Sequence, residues 1–119
     1  MSFRNFVAAA GLALVTTQSA SAQTVTFSID NEYSDTIALE FYSTDRDHVW
    51  PGNDEVWLIG PSDGAISYPL ECLSGELICF GAWTRDNSSF WGGGQNMSSD
   101  CEGCCAVCDG SRLDIIELN

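Results

Sequence analysis

Four of the chain's six cysteines fall within eight residues, Cys101-Glu102-Gly103-Cys104-Cys105-Ala106-Val107-Cys108. The other two, Cys72 and Cys79, flank Ser74-Gly75, a turn by composition and the expected tip of a hairpin. Six cysteines allow fifteen pairings. Three of these join Cys104 to Cys105, and adjacent residues reach disulfide geometry only through a strained peptide. Twelve pairings remain open. Four crowded thiols cannot all satisfy the spacing that disulfides need. Cys72 and Cys79 are therefore expected to take partners from the knot, stapling the glycine-rich loop before it onto the central hairpin. A Cys72–Cys79 bond with two bonds inside the knot is the competing arrangement. Each bond should contribute roughly 2–4 kcal/mol, chiefly by restricting the unfolded chain.

The same cysteines have a metal reading. Cys101-x-x-Cys104 and Cys105-x-x-Cys108 have the spacing that lets two thiolates grip one zinc ion. The N-terminus decides between the two. One positive charge, Arg4, precedes an apolar run from Phe6 to Val15, about the length of a secretory h-region and too short to span a bilayer. Ala20-Ser21-Ala22 then supplies the small residues that signal peptidase requires. Residues 1–22 are read as a signal peptide, leaving 23–119 as one disulfide-rich β domain of 97 residues (119 − 22). An exported protein meets an oxidising, secreted or periplasmic environment, where thiols form disulfides. A domain this small gains much from such cross-links. A thioredoxin-like redox role needs the Cys-x-x-Cys at a helix N-terminus in an α/β fold, and no βαβ pattern is present.

Loss of Arg4 with the leader takes the net charge from −13 to −14. Such a surface repels nucleic acid phosphates and anionic lipid, so neither is an expected partner. It attracts cations and basic proteins and keeps an exported chain soluble.

Short alternating stretches fill the rest. Val25, Phe27 and Ile29 share one strand face; Ile37, Leu39 and Phe41 share another, with Ala38, Glu40 and Tyr42 opposite. Trp50-Pro51-Gly52 predicts a type II reversal. A strand over 55–59 has Trp57 on one face and Val56 and Leu58 on the other. Ile66, Tyr68 and Leu70 alternate around Pro69, which points to an edge strand. Residues 76–84 are apolar on both faces, as a central strand would be. A loop runs from Gly92 to Gly110. In the last strand, 111–118, Leu113 and Ile115 face one way and Ile116 and Leu118 the other. Six or seven strands and no helical period predict an all-β fold, a small, mostly antiparallel, jelly-roll-like sandwich stapled by disulfides.

Motifs for chemistry are sparse. His48 is the only histidine; Asp47 beside it cannot face it on a regular element, and no Gly-x-Ser-x-Gly elbow exists. A lone histidine does not make a zinc or copper site. Gly92-Gly93-Gly94 lacks the Lys-Ser/Thr of a phosphate loop and is read as a sharp backbone turn beside Trp91. Asp45, Asp47, Asp54, Glu55, Asp86 and Asn87 supply loop oxygens, but no Asp-x-Asp-x-Asp-Gly calcium series is present. Paired carboxylates could serve a glycosidase, yet so small a domain has little room for a deep cleft. No catalytic residue, metal ligand or cofactor is expected. Asn87-Ser88-Ser89 and Asn96-Met97-Ser98 match the glycosylation sequon, which matters only in a eukaryotic host. Of the four tryptophans, Trp57 and Trp83 sit in strands and read as core. Trp50 and Trp91 stand at loop entrances, where exposure would let them stack on a glycan or anchor a protein partner.

Phe41-Tyr42-Ser43, Arg46, Trp50-Pro51-Gly52, Ile78-Cys79-Phe80-Gly81-Ala82-Trp83, Trp91-Gly92 and the four-cysteine knot together resemble a group of small exported cysteine-rich bacterial proteins of unknown function. The resemblance implies export and a bacterial source. It implies no activity and no site residue.

Overall fold

The computed structural model describes residues 21–119, so all but the last two residues of the expected leader lie outside the described residues. Nine strands run through this part: β1 (Ala22–Asn31), β2 (Ile37–Ser43), β3 (Val49–Trp50), β4 (Trp57–Ile59), β5 (Ala65–Leu73), β6 (Leu77–Thr84), β7 (Phe90–Gly92), β8 (Cys105–Val107) and β9 (Arg112–Leu118). A single 3-10 turn, Gln95–Met97, interrupts them. The fold is all-β, and no described helix is long and apolar enough to cross a membrane.

The strands form two sheets. The first is three-stranded, in the order β9-β1-β5. The second is six-stranded around the β2–β6 pair; β3 and β4 share the free edge of β2, while β7 and β8 share that of β6. All pairs are antiparallel except β9 with β1. That parallel pair departs from the expected pattern, because β9 returns along β1 only after the chain has crossed the other sheet.

The alternations place the core. Val25, Phe27 and Ile29 from β1 and Tyr68 and Leu70 from β5 meet Ile37, Leu39 and Phe41 from β2 and Ile78, Phe80 and Ala82 from β6, all buried. Phe41 is the hub, with ring centroids 4.7 Å from Phe27, 5.8 Å from Trp57 and 5.7 Å from Tyr68. Such tilted pairs add about 1 kcal/mol each beyond the area they bury. Asn31 closes one end of the core. It is buried, and its amide donates to Ile59 O at 2.9 Å and Asp35 O at 2.9 Å while accepting from Tyr33 N–H at 2.8 Å. Pro69 lies on β5, an edge strand, as its missing N–H requires.

Four expectations are corrected. Cys72 and Cys79 do not flank a hairpin: β5 and β6 belong to different sheets, and Ser74-Gly75 turns a corner between them. The reversal expected at Trp50-Pro51-Gly52 lies two residues on. Glu55 N–H donates to Gly52 O at 3.1 Å across Asn53 and Asp54, both at positive φ, and the Trp50–Pro51 bond is cis. An Asn-Asp pair tolerates that left-handed backbone better than most residues. A register shift between Arg112 and Ile115 turns Leu113 inward beside Ile116, leaving Ile115 exposed. The stretch from Gly92 to Gly110 also contains β8, a strand too short to show an alternation.

β2 is buried on its second face as well. Ala38, Glu40 and Tyr42 are all buried there, and the chain that follows β7 reaches Tyr42. The Tyr42 hydroxyl donates to the Glu40 carboxylate and accepts from Asn96 N–H at 2.9 Å. Burial, then the Glu40 hydrogen bond, pushes the Tyr42 hydroxyl well above the usual tyrosine range. Close approach needs glycine here: a Cβ on Gly81 would stand 2.1 Å from Gly94 O and 3.0 Å from Tyr42 Cε2. Because backbone would have to move, Gly81→Ala is expected to cost about 2 kcal/mol. Urea unfolding of the oxidised protein measures it, and a midpoint matching the wild type refutes the contact.

Candidate functional site

All six cysteines are paired: Cys72–Cys108, Cys79–Cys105 and Cys101–Cys104. The two distant cysteines do take partners from the knot. Cys72 is the last residue but one of β5 and Cys79 sits in β6, so the knot holds both sides of the corner between the sheets. Backbone bonds reinforce it: Cys108 N–H donates to Glu76 O at 2.7 Å, and Gly75 N–H to Cys108 O at 2.8 Å. The sulfurs of Cys79, Cys104 and Cys105 gather within 4.8 Å of one another. Each is already bonded to sulfur, so none is a thiolate that zinc could take. Disulfides in this number belong to an oxidising, non-cytoplasmic setting.

The two tryptophans expected at loop entrances occupy opposite edges of the sandwich. Trp50 is only 8% exposed, and its indole N–H donates to Glu71 O at 2.9 Å. That bond fastens β3, at one edge of the large sheet, to β5 in the small one. Trp91 is half-buried against Tyr33, ring centroids 5.1 Å apart, and its indole N–H donates to Asn119 O at 3.1 Å. It fastens β7 to the residue after β9 at the opposite edge. Both indoles thus clasp the two sheets together and do not share one surface.

A groove lies along the Trp50 edge, about 640 Å³ in volume and open to solvent. Its aromatic and proline surface comes from Trp50, Pro51, Trp57 and Pro69, and its polar rim from Arg46, His48 and Glu71. Ala22, where the leader is expected to end, lines one end. The His48 ring stands edge-on to Trp50 at 4.5 Å between centroids, and Arg46 lies over the same indole at 5.8 Å.

The loop that carries Arg46 and His48, irregular by composition, is pinned at several points. Ser43 Oγ accepts from Asp45 N–H at 3.1 Å and Arg46 N–H at 3.2 Å. Asp45 Oδ2 accepts from Leu77 N–H at 2.9 Å, and Thr44 N–H donates to Leu77 O at 2.9 Å. Arg46 then grips Glu76, with Nε 2.5 Å from Oε2 and Nη2 3.1 Å from Oε1. Glu76 is 4% exposed and also accepts from Leu73 N–H at 2.9 Å. The Arg46 hydrogen bond, followed by those from Leu73 and Ser43, outweighs burial and lowers the Glu76 carboxyl to about 2.

Among the described residues, no side-chain hydrogen bond joins the His48 ring to a carboxylate. Asp45, Asp54 and Asp86 belong to three separate turns. Asp45 is bonded to Leu77 N–H, and Asp86 accepts from Thr84 Oγ1 at 2.9 Å and Ser88 N–H at 3.0 Å. The carboxylates that do converge, Asp30, Glu32 and Glu117, were not legible in the sequence because the β1–β9 pairing joins opposite ends of the described chain. They are on the surface, and the hydrogen bond shared with Asp30 raises the Glu32 carboxyl. No family model, no curated protein and no solved structure matches the chain.

Proposed function

We propose that this is an exported, non-catalytic binding module, secreted or periplasmic, whose ligand is a protein or a glycan. The groove beside Trp50 carries the reading. It is pre-formed, because Trp50 is clasped to β5 and the Arg46 loop is tied to Glu76, so little ordering cost opposes binding. Its aromatic and proline surface with a sparse polar rim suits a protein segment, and the acidic surface around it favours a basic one. Since Trp50 is structural, the informative substitutions are exposed ones. A partner captured from the extracytoplasmic fraction should bind at least about tenfold more weakly to Glu71→Arg and His48→Ala variants, equivalent to a loss of ~1.4 kcal/mol. Undiminished capture by both variants excludes the groove.

Export has its own check. The native protein should begin at Gln23 and gain six hydrogens on full reduction, two for each of its three disulfides. Material that keeps residues 1–22, or that gains none, contradicts export to an oxidising compartment. A second reading, thiol–disulfide exchange, is favoured by one observation: Cys104 Sγ lies 3.6 Å from Cys105 Sγ, bringing two disulfides into contact. Mapping free thiols after mild reduction separates the readings. Scrambled pairing among Cys79, Cys101, Cys104 and Cys105 supports exchange, and unchanged pairing opposes it.

A further inference from the structure

A second cleft opens on the outer face of the six-stranded sheet, about 400 Å³ in volume, and shares no lining residue with the Trp50 groove. Its aromatic part is Trp83 and Phe90, paired in register across β6 and β7 and so on the same face. Trp83 is nearly covered, whereas Phe90 leaves 57% of its surface to solvent. The rest of the lining is amide and hydroxyl: Asn87, Gln95 and Asn96, with Ser89, Ser98 and Ser99. No lining side chain is charged, in a chain with seventeen acidic residues.

The cleft is held open by its backbone. Asn96 N–H is tied to the Tyr42 hydroxyl at 2.9 Å, Ser99 N–H to Gly93 O at 3.1 Å, and Asn87 N–H to Thr84 O at 2.9 Å. The side chains of Asn87, Gln95, Asn96, Ser98 and Ser99 make no hydrogen bond to another described residue. Five polar groups therefore face the cleft with their bonding capacity unspent.

We propose that this cleft binds a neutral carbohydrate of one or two sugar units. A sugar ring offers an apolar C–H face and, at its edge, adjacent hydroxyls that both donate and accept. The exposed Phe90 ring suits the first. Planar amides, each with donors and an acceptor, suit the second. An anionic ligand would need a cation, and none lines the cleft. The size lies toward the small end of pockets that hold small molecules. The proposal stands independently of the groove at Trp50.

The test is an NMR titration of the native, disulfide-bonded protein with maltotriose, cellotriose and chitotriose, each to about 10 mM, the range of weak single-site binding. Adenosine and trigalacturonate serve as stacking and anionic controls. At least one neutral trisaccharide should shift the Trp83 indole N–H and the Gln95 and Asn96 side-chain amides, leaving the Trp50 and Trp91 indoles unmoved. Phe90→Ala should weaken that binding at least about tenfold, and the exposed Gln95→Ala several-fold. The proposal is overturned by silence from all three sugars, by binding undiminished in both variants, or by a control that binds as tightly.

Discussion

Removing the Cys72–Cys108 bond as a Cys72→Ala/Cys108→Ala pair, with the other two bonds kept, is expected to cost about 3 kcal/mol, a larger loss than that from the short Cys101–Cys104 bond. The bond spans 36 residues of chain, but with Cys79–Cys105 intact the ring it closes holds only the 7 residues to Cys79 (79 − 72) and the 3 from Cys105 (108 − 105), and the loop-closure entropy grows with the logarithm of that shorter length. Cys79–Cys105 spans 26 residues and should contribute only slightly less. Cys101–Cys104 closes 3 and should contribute about 2 kcal/mol. Cys72 and Cys108 are both buried in the core, so a small packing loss adds to the first figure. Urea midpoints of the three double variants, with the remaining bonds oxidised, measure the order. Equal losses for Cys101–Cys104 and Cys72–Cys108 would show that the knot acts through native contacts and not through the unfolded chain.

The second large effect belongs to Arg46 and Glu76. Arg46→Met keeps the aliphatic stem but strands a buried carboxylate, and should cost about 3 kcal/mol at neutral pH. Adding Glu76→Gln should recover part of that loss, because an amide can still accept from Leu73 N–H without carrying charge. If the double variant is no more stable than Arg46→Met alone, the stranded charge is not the cause. The pair also sets an acid response. Glu76 is lowered in the folded state from 4.5 to about 2, so its contribution is whole above pH 4.5 and is lost as pH falls through about 2. The shift would amount to about 3 kcal/mol, and partial exposure of Arg46 trims it to about 2. Stability of the wild type should fall over that window, and Glu76→Gln should flatten the fall.

How much was legible differs along the chain. Val25, Phe27 and Ile29 reported their strand and inward face directly, because a period of two survives wherever one side is wet. Residues 76–84 announced a central strand by being apolar on both faces. Tyr42 and Glu40 did not announce burial, since a polar pair reads as a solvent face until Asn96 is known to lie above it. Trp50 and Trp91 were visible as unusual loop aromatics. Their tasks were not, because Glu71 O and Asn119 O are acceptors that only the packed sheets bring within reach.

Local spacing alone therefore determined the inward faces of β1, β2 and β5, the edge position of Pro69 and the crowding that sends Cys72 and Cys79 to the knot. These follow from backbone geometry and sulfur chemistry, which act over a few residues. The tertiary structure decided which sulfur meets which, that Ser74-Gly75 turns between sheets, that β9 runs parallel to β1, and where grooves open beside Trp50 and Phe90. Those outcomes depend on contacts between segments far apart in the chain, where burying one face against another outweighs anything a short window of residues prefers.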